Sequence, residues 1–264
     1  MMRAMTEEPR FADRLAAVAA LTLCSPTAEA VEIVGVAAGR KLNADAARQD
    51  FYDVFCIPQS GRYVPPYVHV LRRAQQQGEY WHFPPPRHDG GDEFLPWYQM
   101  AGFDPQRLDV SPLLRGPLRP LDHIGFILAY LAGLAAAWET DPAAREVAAG
   151  FVTEILGHWA DLYVDLLGQG QGDYVPLVAE ALAEALADVR AVFALPVVER
   201  RRNVAKGHVW EGTGNPLRTG DGGFTGIGAA ARDETVPQTG EPAAARQGLP
   251  SCRDIKGTPH GGAE

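Results

Sequence analysis

The chain has 264 residues, of which 46% are apolar and 22% charged, with a formal net charge of -9. That is ample material for a sizeable core, and the acidic balance excludes a dedicated nucleic-acid binder, which needs a basic face for phosphate. An acidic surface suits a basic partner instead, such as an arginine-rich peptide. Cys24, Cys56 and Cys252 lie far apart without a CxxC pair. Their spacing excludes a zinc ribbon or a disulfide framework and fits a reducing, cytoplasmic compartment.

Apolar residues recur at helical spacing almost throughout, and no strand alternation is evident. The N-terminal segment is basic and then apolar, but Glu7, Glu8 and Asp13 interrupt it. It reads as a first helix with Phe11, Leu15, Val18 and Leu21 inward, a signal peptide being the lesser alternative. Ser25 and Pro26 predict the cap and first turn of a second helix through Val31, Ile33 and Val34. Asn43 or Asp45 caps a third, which carries Phe51, Tyr52, Val54 and Phe55.

Pro58, Gly61, Pro65 and Pro66 break the pattern, and a short helix is expected from about 67 to 76. The stretch GEYWHFPPPRHDGGDE reads as loop, followed by a short helix over 94–100 and irregular chain to Pro120. Three long helices are then predicted, at 122–138, 142–167 and 174–192. The uncharged run from Ile124 to Trp138 is shorter than the ~18–20 residues of a membrane span, so it reads as a buried central helix. In the second long helix, Phe151, Ile155, Trp159, Leu162 and Leu166 form the inward stripe, and Glu154, His158, Asp161 and Asp165 a solvated one. From about residue 200 the chain is rich in Gly, Pro, Thr and Ala and reads as a disordered tail, leaving one all-α domain over 1–199.

The chemistry of an enzyme is not legible. GxSxG, Walker, GxGxxG and HExxH motifs do not occur in the sequence. Glu154 and His158 lack the second Glu-x-x-His helix that a dinuclear centre needs, and Cys56 reads as a packing residue. The expectation is a protein that is not an enzyme and carries no cofactor or metal of its own.

Three segments in order resemble the TorD/DmsD/NarJ-type family of redox-enzyme maturation chaperones. They are DFYDVFCIPQSGRYVPPYVHVL at 50–71, WYQMAGFDPQRLDVSPLLRGPLRPLDHIGFILAYLA at 97–132, and FVTEILGHWADLYVDLL at 151–167. Pro120-x-Asp122-His123-Ile124 opening a helix is the most specific of these signals; Arg119 stands where the family usually has Glu. The resemblance implies a TorD-like helical bundle. It would bind the catalytic subunit of a molybdopterin oxidoreductase through its twin-arginine signal peptide and hold it until cofactor is inserted. An arginine pair followed by an apolar stretch requires a carboxylate beside an apolar groove. Candidate contacts are Tyr63, Pro65, Pro66, Tyr67, Trp97, Tyr98, Pro120, Asp122 and His123, with Asp122 also expected to cap its helix. The alternative is a helical regulator or adaptor binding a small ligand or a protein. Neither nucleic acid nor stable membrane insertion is expected, and the Gly170–Gly172 joint permits either a monomer or a domain-swapped dimer.

Overall fold

Leu15 and Val18 do turn inward, and the helix that carries them, α1 (Phe11–Leu23), lies along the most apolar of the described helices, α6 (Ile124–Ala137). The structure is a computed structural model that describes residues 10–195 except 79, 88 and 115–119. The tail expected from residue 200 lies outside the described residues. Between and after these two helices come α2 (Ala28–Ala37), α3 (Ala44–Phe51), α4 (Val68–Leu71) and α5 (Leu95–Met100), then α7 (Pro142–Ile155), α8 (His158–Gly168) and α9 (Val175–Val192). A π-helical turn, Tyr52–Cys56, extends α3. The described residues are therefore all-α, with one small hairpin among them.

α6 is buried nearly all round because it carries no charged side chain; it packs chiefly on α1 and also on α7. Fully buried Leu15, Ile124 and Leu128 each contribute about 1.5–3 kcal/mol of transfer free energy. The close approach of α1 needs Gly125, where a Cβ would sit 2.4 Å from Leu23 Cγ and 2.6 Å from Thr22 Oγ1. α9 closes the bundle against α8 and α1.

Several boundaries differ from the sequence reading. Thr27, rather than Ser25 with Pro26, caps α2 by accepting the Ala30 N–H at 3.1 Å. Asn43 caps α3, accepting from Asp45 and Ala46. The helix expected over 67–76 stops at Leu71, and Gln75–Gln77 pairs antiparallel with Tyr80–His82 to form β1 and β2. These strands are mostly exposed, so they carry no inward–outward alternation to read. The helix expected over 142–167 is two helices, since Leu156 and Gly157 are extended. Trp159 Nε1 donates to the Ile155 carbonyl at 2.8 Å, which that break leaves without its helical partner.

The break also separates Glu154 from His158, which now belong to different helices. Asp161, expected on a solvated stripe, is 8% exposed and bonds Arg190 of α9 at 2.7 Å. Phe151, Ile155, Trp159 and Leu166 are buried as expected, and Leu162 is half-buried.

Candidate functional site

Two segments distant in sequence meet at the mouth of α6. Pro65 and Pro66 have no N–H and bring the chain in extended, so that Tyr67 (φ -116, ψ 128) pairs with His123 (φ -63, ψ 131) as an isolated antiparallel bridge. The Ile124 N–H donates to the Pro66 carbonyl at 2.9 Å and the Val68 N–H to the Asp122 carbonyl at 3.2 Å. One backbone crossing thus starts both α4 and α6.

The cap of α6 corrects the sequence reading. His123, not Asp122, is the N-cap, its Nδ1 accepting the Gly125 N–H at 3.0 Å. Asp122 turns the other way, and its Oδ2 accepts two bonds from His69, one from the backbone N–H at 2.5 Å and one from ring Nδ1 at 2.8 Å. His69 Nε2 accepts the Arg87 N–H at 3.1 Å, so the ring proton sits on Nδ1 and the imidazole is neutral in this arrangement. Asp122 is fully buried, and its Oδ1 has no hydrogen-bond partner among the described residues.

A glycine pair lies over this pair of side chains. The Gly90 carbonyl accepts the Leu121 N–H at 3.2 Å. A Cβ on Gly90 would meet the His69 ring at 2.2 Å, and one on Gly91 would sit 2.7 Å from Asp122 Cβ. The backbone therefore rests on His69 and Asp122 where no other residue would fit.

Beneath the crossing the Tyr98 hydroxyl donates to the Leu121 carbonyl at 2.9 Å. Burial, and then the charge of Asp122, holds that hydroxyl protonated well above the ordinary tyrosine range. Tyr98 also packs edge-on to Phe103 and Tyr130 with centroids at 5.0 and 5.1 Å. Trp97 faces α7, 5.7 Å from Phe151. Tyr63 lies toward Cys56, Tyr67 and Tyr163, in surroundings dry enough to push its hydroxyl well up too.

Of the nine residues expected from sequence, Pro65, Pro66, Tyr67, Pro120, Asp122 and His123 gather at the crossing, with Tyr98 under it and Tyr63 beside it. Trp97 belongs to a neighbouring aromatic stack. Tyr67 and Trp97 are half-buried and the other seven are buried. Sequence reasoning missed His69 and the Arg87, Gly90 and Gly91 backbone. The available signal was a histidine set between the buried valines Val68 and Val70; the glycine pair reads as an ordinary turn, with the Gly90 N–H on the Arg87 carbonyl at 3.1 Å. Among the described residues no group of His, Cys, Asp and Glu is arranged to hold a metal, and no helix is long and apolar enough to cross a membrane.

The bundle, with this crossing at the mouth of its central helix, is all-α and fits a redox-enzyme maturation chaperone of the TorD/DmsD/NarJ type. The model of the nitrate reductase delta subunit family matches residues 16–165, more than half of the 264, and the chain belongs to that family. The match spans α1 to most of α8, including both segments of the crossing. The family is one of chaperones for molybdoenzyme maturation, whose members bind molybdoenzyme catalytic subunits. No curated protein and no solved structure matches the chain.

Proposed function

We propose that this protein is a cytoplasmic, client-specific chaperone without turnover of its own. Its client is the precursor of a molybdopterin-containing oxidoreductase, held through its twin-arginine signal peptide and its apo-enzyme until cofactor is inserted before export. The observation that carries this reading is the convergence of the two family-like segments, 50–71 and 97–132, on one carboxylate with an unused oxygen. A guanidinium fork is best met by such a carboxylate in a water-poor setting.

Tyr67 supplies aromatic surface, edge-on to His123 with centroids at 5.5 Å. Pro65, Pro66 and Pro120 hold the extended chain in place, Tyr63 and Tyr98 brace it, and Trp97 extends the aromatic surface toward α7.

The test is affinity purification of the tagged protein from its native host, with partners identified by mass spectrometry. An immature molybdoenzyme subunit should be recovered, and its synthetic signal peptide should bind. Asp122→Asn should weaken that peptide about tenfold to a hundredfold, the worth of one hydrogen bond to a charged group. Absence of any redox subunit while such enzymes are being expressed would overturn the reading.

A further inference from the structure

We infer that His69 is the positioning residue of this site, setting the Asp122 carboxylate and latching the Gly90–Gly91 strap that covers it. The inference rests on the client-binding reading above. Asp122 has no solvent exposure, so no client arginine reaches its free Oδ1 unless something above it moves. What lies above it is the strap, with Gly91 against Asp122 and Gly90 against the His69 ring.

One imidazole holds both parts. Nδ1–H donates to Asp122 Oδ2 and Nε2 accepts the Arg87 N–H, while Arg87 in turn accepts the Gly90 N–H at 3.1 Å. A proton added to Nε2 would set two donors face to face, so the Arg87 bond must break and the strap lose its latch. The same proton places a full positive charge beside Asp122, which then has less to offer an incoming cation. Latch and charge are thus governed by one ring, and imidazole is the side chain whose ordinary titration falls within physiological pH.

The groups facing this ring are few. Asp122 lies on one side and Tyr67 on another, with centroids 6.0 Å apart. The Arg87 guanidinium is engaged with Asp89 at 3.2 Å. On α4 the next charge, Arg72, is paired with Glu93.

The experiment uses the full chain and its His69→Asn variant, since an asparagine amide can replace the Nδ1–H donor but neither titrates nor reaches the Arg87 N–H. Protection factors of the Arg87, Gly90 and Leu121 amides are measured by hydrogen exchange from pH 7.5 to 5.5. Binding of a synthetic peptide carrying paired arginines before an apolar stretch is measured over the same range. In the wild type, protection of these amides should drop about tenfold or more with acid, and peptide affinity should change with pH in step with it, the freed strap raising it and the charge on the ring lowering it. In His69→Asn, protection should be low at every pH and affinity independent of it. Equal and pH-independent protection in both proteins would overturn the inference, even if the peptide binds. Conversely, pH-dependent protection with no peptide binding would support the latch while sinking the signal-peptide reading.

Discussion

Replacing Asp122 separates its structural role from the recognition role proposed for it, provided the substitution is chosen with its two bonds in view. Asp122→Ala removes the acceptor for both the His69 N–H and its ring Nδ1–H. The His69 side chain is only 13% exposed, so water does not readily replace that acceptor. Two stranded donors at about 1–3 kcal/mol each, taken in the lower half of the range, cost about 3 kcal/mol. For a domain of this size that lowers Tm by about 6–12 °C. Asp122→Asn keeps one acceptor oxygen in nearly the same volume and sets its amide where Oδ1 had no partner. The unmet amide hydrogens and the relief of a buried charge offset each other, so stability should stay within about 1 kcal/mol of wild type. Thermal unfolding followed by circular dichroism at neutral pH measures both variants. Asp122→Ala unfolding within a degree or two of wild type would refute the anchoring role of this carboxylate. Asparagine as damaging as alanine would refute the claim that acceptor geometry, rather than charge, secures the fold.

Gly125→Ala should destabilise by about 1–2 kcal/mol, because overpacking against Leu23 and Thr22 outweighs the gain in helix propensity. Gly168→Ala, with nothing within 4 Å of its added Cβ, should be neutral or slightly stabilising in the same melts; equal signs would contradict the α1–α6 approach. Burial pushes the Cys56 thiol up to about 12, against a lesser opposing effect of the Ser111 hydroxyl. Iodoacetamide at pH 8, read by peptide mapping, should therefore modify Cys56 at least about a hundredfold more slowly in the folded than in the unfolded chain. The sign for stability follows, since a folded value raised above 9.0 leaves stability unaffected below pH 9 and erodes it as pH rises from there toward 12. Alkaline melts of Cys56→Ala should lose less Tm between pH 8 and 10 than wild type; an identical loss would count against the buried thiol. Gly172→Ala, at φ +120 and with its Cβ 2.0 Å from Asp50 Oδ2, should loosen the α8–α9 joint and raise the dimer fraction in size-exclusion chromatography. An unchanged profile with a lowered Tm would show that this joint does not govern exchange.

Helices with a strong apolar period were legible because their burial is one-sided or complete, as in α1, α6 and α9. The π-helical turn at Tyr52–Cys56, the split at Leu156–Gly157 and the hairpin at 75–82 were not. A break keeps its apolar residues on the core side, so Phe151, Ile155, Trp159 and Leu166 remain periodic to the eye across two helices. The site was half legible. Pro66, Tyr67, Asp122 and His123 stood out as motif residues, but their pairing is a non-local backbone contact that leaves no local pattern. His69 was hidden for the same reason, because its partners lie at positions 87 and 122. Asp122 looked like a helix cap because irregular chain gives way there to the long apolar run from Ile124, and only the bond from the Gly125 N–H to His123 Nδ1 shows that the cap falls to His123.

The crossing at Asp122 and the joint at Gly172 are built alike but differ in how their carboxylates are matched. In each a buried aspartate accepts a main-chain N–H from a distant segment: His69 for Asp122, and Tyr174, at 3.4 Å, for Asp50. In each a glycine leaves room for the carboxylate, Gly91 in one and Gly172 in the other. Asp50 is also met by a cation of the same chain, since Arg62 bonds it at 2.6 Å and reaches Asp53 and the Gln171 carbonyl as well. That charge is matched, and the joint has nothing further to offer. Asp122 is met only by a neutral imidazole, with no Lys or Arg reaching it among the described residues. Burying a carboxylate without a matched cation is costly, and nothing in the crossing of the two segments demands it, because a neutral acceptor would serve His69 as well. A positive group supplied from outside is the partner that would make such a carboxylate favourable, and on the function proposed above a cationic client segment would meet it at the crossing rather than at the joint.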